Sequence, residues 1–312
     1  MPADSQSTTH TPPLIGLALG GGVARGWAHI GAIQRLEELG VKPDVVCGTS
    51  VGALVGGVWL AGHLPALEDW ARGLTKRRML SYVDVMLNGS GLIGGKRLEK
   101  TLETYIDDLM IEELPAAFVA VAAELATGHE TWIRKGSLVD AIQAAYALPG
   151  VFPPRAIHGR WVIDGALVNP LPVSVCRALG ARIVIAVGLH ADAFGRTISQ
   201  RREQFGASSS DIDDMARDAN AGGPEKRMLR KLFKATGAAP GLGTTMIAAF
   251  NIVMDRMTRS RLAGDPPDVL IMPRVGHIPL LDFDQADELI SLGKQAVDEH
   301  ADEIASAMEL LS

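Results

Sequence analysis

Cysteine is almost absent from the chain, with Cys47 and Cys176 the only two in 312 residues. Each sits in an apolar run, VVC and VSVC. That excludes a disulfide framework and reads as buried thiols in a reducing compartment. No spacing of cysteines and histidines suggests a zinc site. Positive charge is not in excess either, since the formal net charge is −6. A general nucleic-acid-binding surface is therefore not expected, although local basic patches are not excluded. The start, MPADSQSTTHTPP, lacks the basic residues and apolar stretch of a secretory leader. Residues 1–13 read instead as a disordered tail. No long apolar run appears near the front: Val51 to Gly62 is glycine-rich and too short to span a bilayer. These absences predict a cytoplasmic protein.

What is present is ordinary globular material, 47% hydrophobic with 34 glycines. The length allows one large α/β domain or two small ones. From residue 14 an α/β order begins. Leu14–Leu19 is a short apolar run ending in three glycines. A helix follows with Ile30, Ile33, Leu36 and Leu39 on one face, closed by Gly40. Asp44–Cys47 reads as a second strand, and a second helix starts after Ser50. This alternation implies a parallel sheet with right-handed crossovers. Further strands are expected at 118–126, 130–134, 161–163, 183–187 and 269–272. A helix capped by Ser137 and a closing helix or helix pair at 285–311 complete the pattern, with turns at 88–91 and 94–95. The stretch 190–243 has few apolar anchors and many charges. It reads as a mobile insertion within a domain running from 14 to 312.

Three local patterns carry chemistry. The first is Gly48-Thr49-Ser50-Val51-Gly52, a G-x-S-x-G between an apolar strand and an apolar helix. A nucleophilic serine on a sharp strand-to-helix turn requires that context. The residues two before and two after it crowd each other and must be small. Gly56 and Gly57 would let the helix lie close on the sheet. The second pattern is Gly20-Gly21-Gly22-Val23-Ala24-Arg25-Gly26. Successive glycines let backbone N–H groups converge on an anion, as an oxyanion hole requires. Arg25 could steady this loop or meet an anionic head group. A dinucleotide site is the competing reading, but the spacing misses G-x-G-x-x-G. The acidic residue it needs, Asp44, also begins a strand rather than ending one.

The third pattern is Trp161-Val162-Ile163-Asp164-Gly165-Ala166, a carboxylate at the end of a short apolar strand. There it can take the serine proton directly. Only His190 and His277 lie beyond Asp164 in plausible loops, and neither has a motif around it, so both read as solvated.

Taken in order, the glycine loop with arginine, GTSVG and Asp-Gly-Ala resemble the patatin-like phospholipases. Ala147-Leu-Pro-Gly-Val-Phe-Pro-Pro154 and Asn169-Pro170-Leu-Pro172 are similar to segments flanking that family's aspartate. The region from Arg261 to Phe283 is similar to bacterial single-domain members and to the catalytic domain of neuropathy target esterase. The resemblance implies a three-layer α/β/α patatin-like fold with a mainly parallel central sheet. It implies Ser50 as nucleophile and Asp164 as base, with the amides of Gly21, Gly22 and Val23 as oxyanion hole. Arg25, Gly26, Gly48, Gly52 and Gly165 support these motifs. Val23 stands where many members have a fourth glycine, and Ala145 where many have a serine. No metal or cofactor is implied. The implied partner is a lipid acyl ester, with peripheral membrane contact through the amphipathic stretch 244–262 or the insertion as an option. For 244–262, a core-packed helix is the preferred reading. Oligomeric state does not follow. A non-catalytic protein that keeps the fold is the alternative to an enzyme.

Overall fold

The computed structural model describes residues 14–75, 100, 102–104, 106, 108–149, 151–190 and 242–310. The expected tail, the turns at 88–95 and residues 191–241 of the expected insertion lie outside them. The elements in chain order begin with β1 (Leu14–Leu19), α1 (Ala28–Glu38), β2 (Val45–Thr49), α2 (Val51–Leu60) and α3 (Leu64–Arg72). There follow β3 (Ala117–Glu124), β4 (Glu130–Ile133), α4 (Leu138–Ala145), β5 (Arg155–Ile157) and β6 (Arg160–Asp164). The rest are α5 (Val173–Ala178), β7 (Ala181–Val187), α6 (Leu242–Gly264), β8 (Val269–Ile271), α7 (Ala286–Asp298) and α8 (Ala301–Glu309).

The strands form one eight-stranded sheet linked in the order β5-β6-β3-β2-β1-β7-β8, with β4 also on β3. Pairing is parallel from β3 through β2, β1 and β7 to β8, and antiparallel among β3, β4, β5 and β6. The central strands read as unbroken apolar runs because both faces are covered. Ile15, Leu17 and Leu19 pack with Ile183, Ile185 and Val187 on one face, under α1, α2, α4 and α7. Ala18, Val184 and Ala186 face the other side, under Val173, Val175 and Cys176 of α5 and Leu262 of α6. The expected three layers and mainly parallel sheet are what the structure has. Two elements were not foreseen. Residues 155–157, read as loop after the prolines, form an edge strand hydrogen-bonded to β6, and 173–178 form α5.

The registers place the ends of β2 and β6. On β3, Ala120 and Val121 pair with both β2 and β4, so those strands occupy opposite edges. Ala122 and Ala123 pair with both β4 and β6, so β6 lies on the same edge as β2. Thr49 pairs with Val121 and Asp164 with the next residue, Ala122. Strands β2 and β6 thus run toward each other along one edge of β3 and meet head-on at their carboxyl ends.

Helix α1, which follows the glycine loop, is seated against α7 by reciprocal close approach. A Cβ on Gly31 would lie 1.9 Å from the Ile290 carbonyl oxygen, and one on Gly293 1.9 Å from that of Ala28. Gly31→Ala is expected to force the helices apart and lower stability by about 1–3 kcal/mol. Urea unfolding measures this, and an unchanged midpoint would show that the seam yields freely.

Candidate active site

Ser50 leaves β2 and caps α2 with φ 54° and ψ −127°. Non-glycine residues rarely adopt this conformation, which costs about 1–3 kcal/mol. The surroundings hold it there. A Cβ on Gly48 would lie 2.4 Å from Ala53 Cα, and one on Gly52 2.2 Å from the Leu19 carbonyl oxygen. The mutual crowding expected of these glycines is therefore only half of the arrangement. Gly48 meets Ala53 and the Gly52 carbonyl, whereas Gly52 presses on the end of β1. Of the two later glycines, Gly56 faces the sheet, but Gly57 faces Ile142 of α4.

The Ser50 hydroxyl donates to Asp164 Oδ2 at 2.6 Å. Asp164 Oδ1 accepts the Ala166 amide at 2.8 Å, and Gly165 between them packs on the Val121 carbonyl, where a Cβ would come to 2.1 Å. The carboxylate is buried. Loss of water pushes its pKa up from 3.8 to about 7, against the lowering effect of the hydrogen bonds from Ser50 and Ala166.

The glycine loop reaches the same point. A Cβ on Gly21 would lie 3.3 Å from Ser50 Cβ, 3.2 Å from Ala166 Cβ and 3.5 Å from Met254 Cε. One sequence expectation is corrected here. The Gly21 amide donates to the Pro170 carbonyl at 2.9 Å, so it is already engaged and is not a free donor. Gly20 donates to Val187, Ala24 to Leu280 and Arg25 to Gly22. The amides of Gly22 and Val23 have no acceptor among the described residues. Arg25 steadies the loop, donating from Nε to the Ile278 carbonyl at 2.8 Å and from Nη2 to that of Gly276 at 3.1 Å. Gly26 lies against Val51, whose Cγ2 would be 2.1 Å from a Cβ there. Val23 has φ 53°, an outlier for a β-branched residue.

Residues outside the motifs complete the site. Buried His29 contacts the Gly20 carbonyl through Nε2 at 2.8 Å. A carbonyl only accepts, so Nε2 carries the proton. Burial lowers the His29 pKa to about 4, which keeps the ring neutral. Thr49 Oγ1 donates to the Asn169 carbonyl at 2.9 Å. The sequence signal for His29 was a histidine within the apolar half of α1, which has a structural reading as readily as a functional one.

His190 was expected to be solvated. It is buried beside the Gly21 backbone and Asn251, and among the described residues neither ring nitrogen has a hydrogen-bond partner of good geometry. Desolvation lowers its pKa to about 3. His277 is exposed and contacts Glu288 at 2.7 Å. Among the described residues no histidine hydrogen-bonds Ser50 or Asp164, and no cluster of His, Cys, Asp and Glu suits a metal.

Helix α6 packs one face on the core, as the preferred reading of a core-packed amphipathic helix expects, but leaves apolar side chains outside. Met254 and Thr258 are buried, but Met246, Ile252 and Val253 are exposed. Arg261 donates to the Val168 carbonyl at 2.7 Å and to Glu130 at 3.3 Å, and Arg259 pairs with Asp255. No helix among the described residues is long and apolar enough to cross a membrane.

Val23→Gly and Val23→Ala test the strain in the loop. Only glycine relieves a left-handed φ. The glycine variant is expected to be more stable than the alanine variant by about 1 kcal/mol, reversing the usual order. Equal denaturation midpoints would mean that the loop relaxes around alanine.

Comparison with known proteins gives a consistent picture. Residues 17–177 match the family described as Patatin-like phospholipase. An uncharacterized NTE family protein of Mycobacterium tuberculosis is 30% identical, with 94% of this chain and 92% of the relative covered. The neuropathy target esterase sws of Drosophila melanogaster is 32% identical over 55% of this chain and 13% of its own length. Among solved structures, VipD from Legionella pneumophila aligns with a TM-score of 0.39 and 14% identity over 96% of this chain and 80% of VipD.

Proposed function

The chain belongs to the patatin-like phospholipase family, and from that premise we propose that it hydrolyses fatty-acyl esters of phospholipids or lysophospholipids through a Ser50–Asp164 dyad. Lipid acyl hydrolysis is the activity that the family implies. The observation that carries the finer reading is the 2.6 Å hydrogen bond from Ser50 Oγ to a buried carboxylate.

Asp164 in its ionised form takes the Ser50 proton as the hydroxyl attacks the acyl carbonyl. The tetrahedral oxygen that forms carries the negative charge. It settles on the Gly22 and Val23 amides, near the N-terminal end of α2. The proton held by Asp164 passes to the departing alkoxide, and Ser50 keeps the acyl group. Water enters, Asp164 takes its proton, and hydroxide attacks the acyl-enzyme. The second intermediate collapses, the fatty acid leaves, and the proton returns to Ser50. Among the described residues Asp164 has no histidine to relay through, so its own titration sets the fraction of active enzyme.

Ser50→Ala is expected to lower turnover of a soluble nitrophenyl ester about a thousandfold or more. It should also abolish labelling by a fluorophosphonate. Labelling that persisted would place the nucleophile elsewhere. Asp164→Asn should lose turnover to a similar extent, while His277→Ala keeps it.

The pH dependence follows from the raised pKa. The base works when ionised, so kcat/KM should climb with pH and level off above about 7. A profile flat down to about pH 5 would remove Asp164 from this role. Stability runs the other way. Between pH 3.8 and about 7 the folded protein holds a proton that the unfolded chain has released, so this carboxyl's contribution falls as pH rises. Asp164→Asn lacks that penalty. Its stability relative to wild type should therefore improve from about pH 4 to about pH 8, as read by urea unfolding at each pH.

A further inference from the structure

The second face of the sheet is covered by α5 and α6 over its parallel strands, but no described helix covers its antiparallel end. Alternation along the registers puts Leu125, Trp132, Trp161 and Ile163 on that face. Val121, buried on this side of the sheet, pairs with Trp132, and Ala123 pairs with Ile163. The Leu125 amide continues the ladder to the Trp161 carbonyl at 2.8 Å. Trp161 is 59% exposed, Leu125 52% and Trp132 40%. The two half-exposed indoles stand on the strands that flank β3 on its opposite edges, facing the same side of the sheet.

Basic charge stands at the end of β4. Arg134 and Lys135, directly after β4, are exposed, and Arg134 has no ion-pair partner among the described residues. Glu112 is exposed beside Lys135 and accepts from the Gly136 amide, which leaves Arg134 as the cation without a nearby carboxylate among those described, while two other carboxylates are engaged. Glu130 accepts from Trp132 Nε1, Asn169 and Arg261, and Glu124 accepts from Thr127 and faces Arg160. Arg160 is itself exposed. The surface begins on the strand that carries Asp164, on the opposite face of the sheet from the Asp164 side chain, which shares the side of Val162 and Ala122. Trp161 lies three residues before Asp164 on β6, about 10 Å along an extended chain.

We propose that this face, centred on Trp132 and Trp161 with Arg134 and Lys135 at its rim, docks the protein on an anionic phospholipid surface. The inference rests on the reading of the site as a lipid hydrolase. Indole rings settle at the headgroup level of a bilayer, and basic side chains meet lipid phosphates. A second copy is a poorer occupant. A twofold contact would set the cationic rim against itself.

The test uses the full chain and vesicles of ether-linked phosphatidylcholine, with or without ether-linked phosphatidylglycerol. Such lipids cannot be hydrolysed, so flotation reads binding apart from catalysis. Wild type should float with the anionic vesicles and not with the neutral ones. The double variant Trp132→Ala/Trp161→Ala should lower the bound fraction about tenfold, with nitrophenyl ester turnover within about twofold of wild type. Arg134→Glu/Lys135→Glu changes exposed positions only and should lower binding as well, which keeps the test decisive should the tryptophan variant fold poorly. Wild type that does not float, or variants that bind like wild type, would overturn the proposal. So would a wild-type dimer that the tryptophan variant dissolves, because the face would then belong to a second copy. Flotation that persists without any ester turnover upholds the docking surface while removing the hydrolase reading.

Discussion

Strand β3 imposes the constraint on which the rest of the site depends. One of its edges receives β2 from one direction and β6 from the other, and the two carboxyl ends abut between Val121 and Ala122. Neither Ser50 nor Asp164 needs a long loop to reach its partner, because the backbone ladder delivers both. The glycines then have one common purpose. Where chains meet end to end there is no volume for a Cβ, and Gly165 against Val121 and Gly52 against Leu19 are where that space runs out. A side chain at either position would collide with backbone, so the strand ends would have to shift, and with them the Ser50–Asp164 contact.

Burial determines what this pair can do. A carboxylate in water is too weak a base to share a serine proton usefully at neutral pH. Asp164 is dehydrated, and its pKa moves to about 7. The two hydrogen bonds it accepts, from Ser50 and Ala166, pull the other way and keep it from rising further. A histidine would supply a similar proton affinity without the burial. The buried histidines of this chain are held well below that range, at about 4 for His29 and about 3 for His190, so neither can act as the base near neutrality. His29 serves instead as a fixed donor to the loop that faces the nucleophile.

Much of this was legible in the sequence, for identifiable reasons. The apolar runs of β1, β2 and β7 and the glycine after α1 report local backbone demands. GTSVG between a strand and a helix reports the elbow, and its crowding is a property of neighbouring residues. What escaped depends on contacts distant in sequence. That Gly21 spends its amide on Pro170 could not be read from either segment alone, since the bond joins residues far apart in sequence. The same holds for α6. Its stripe fits a packed helix equally well, and only the placement of Met254 beside Gly21 and of Ile252 and Val253 outside separates the two faces. Strand β5 was hidden by Pro153 and Pro154, which precede an edge strand as readily as they interrupt a loop.

The correction at Gly21 sharpens the chemistry. A loop with every amide free would be mobile and would offer its donors in no fixed direction. Here Gly20 and Gly21 donate to carbonyls of the sheet and of the 169–172 segment, and Arg25 and Ala24 are tied to residues 276–280. Among the described residues these anchors leave the Gly22 and Val23 amides without an acceptor, beside the left-handed turn at Val23. Two non-glycine residues with positive φ, Val23 and Ser50, therefore lie on the two sides of the same small space. Strain held by dense packing is the arrangement expected where donors must be fixed before charge develops, because reorganising them during reaction would forfeit the stabilisation they provide.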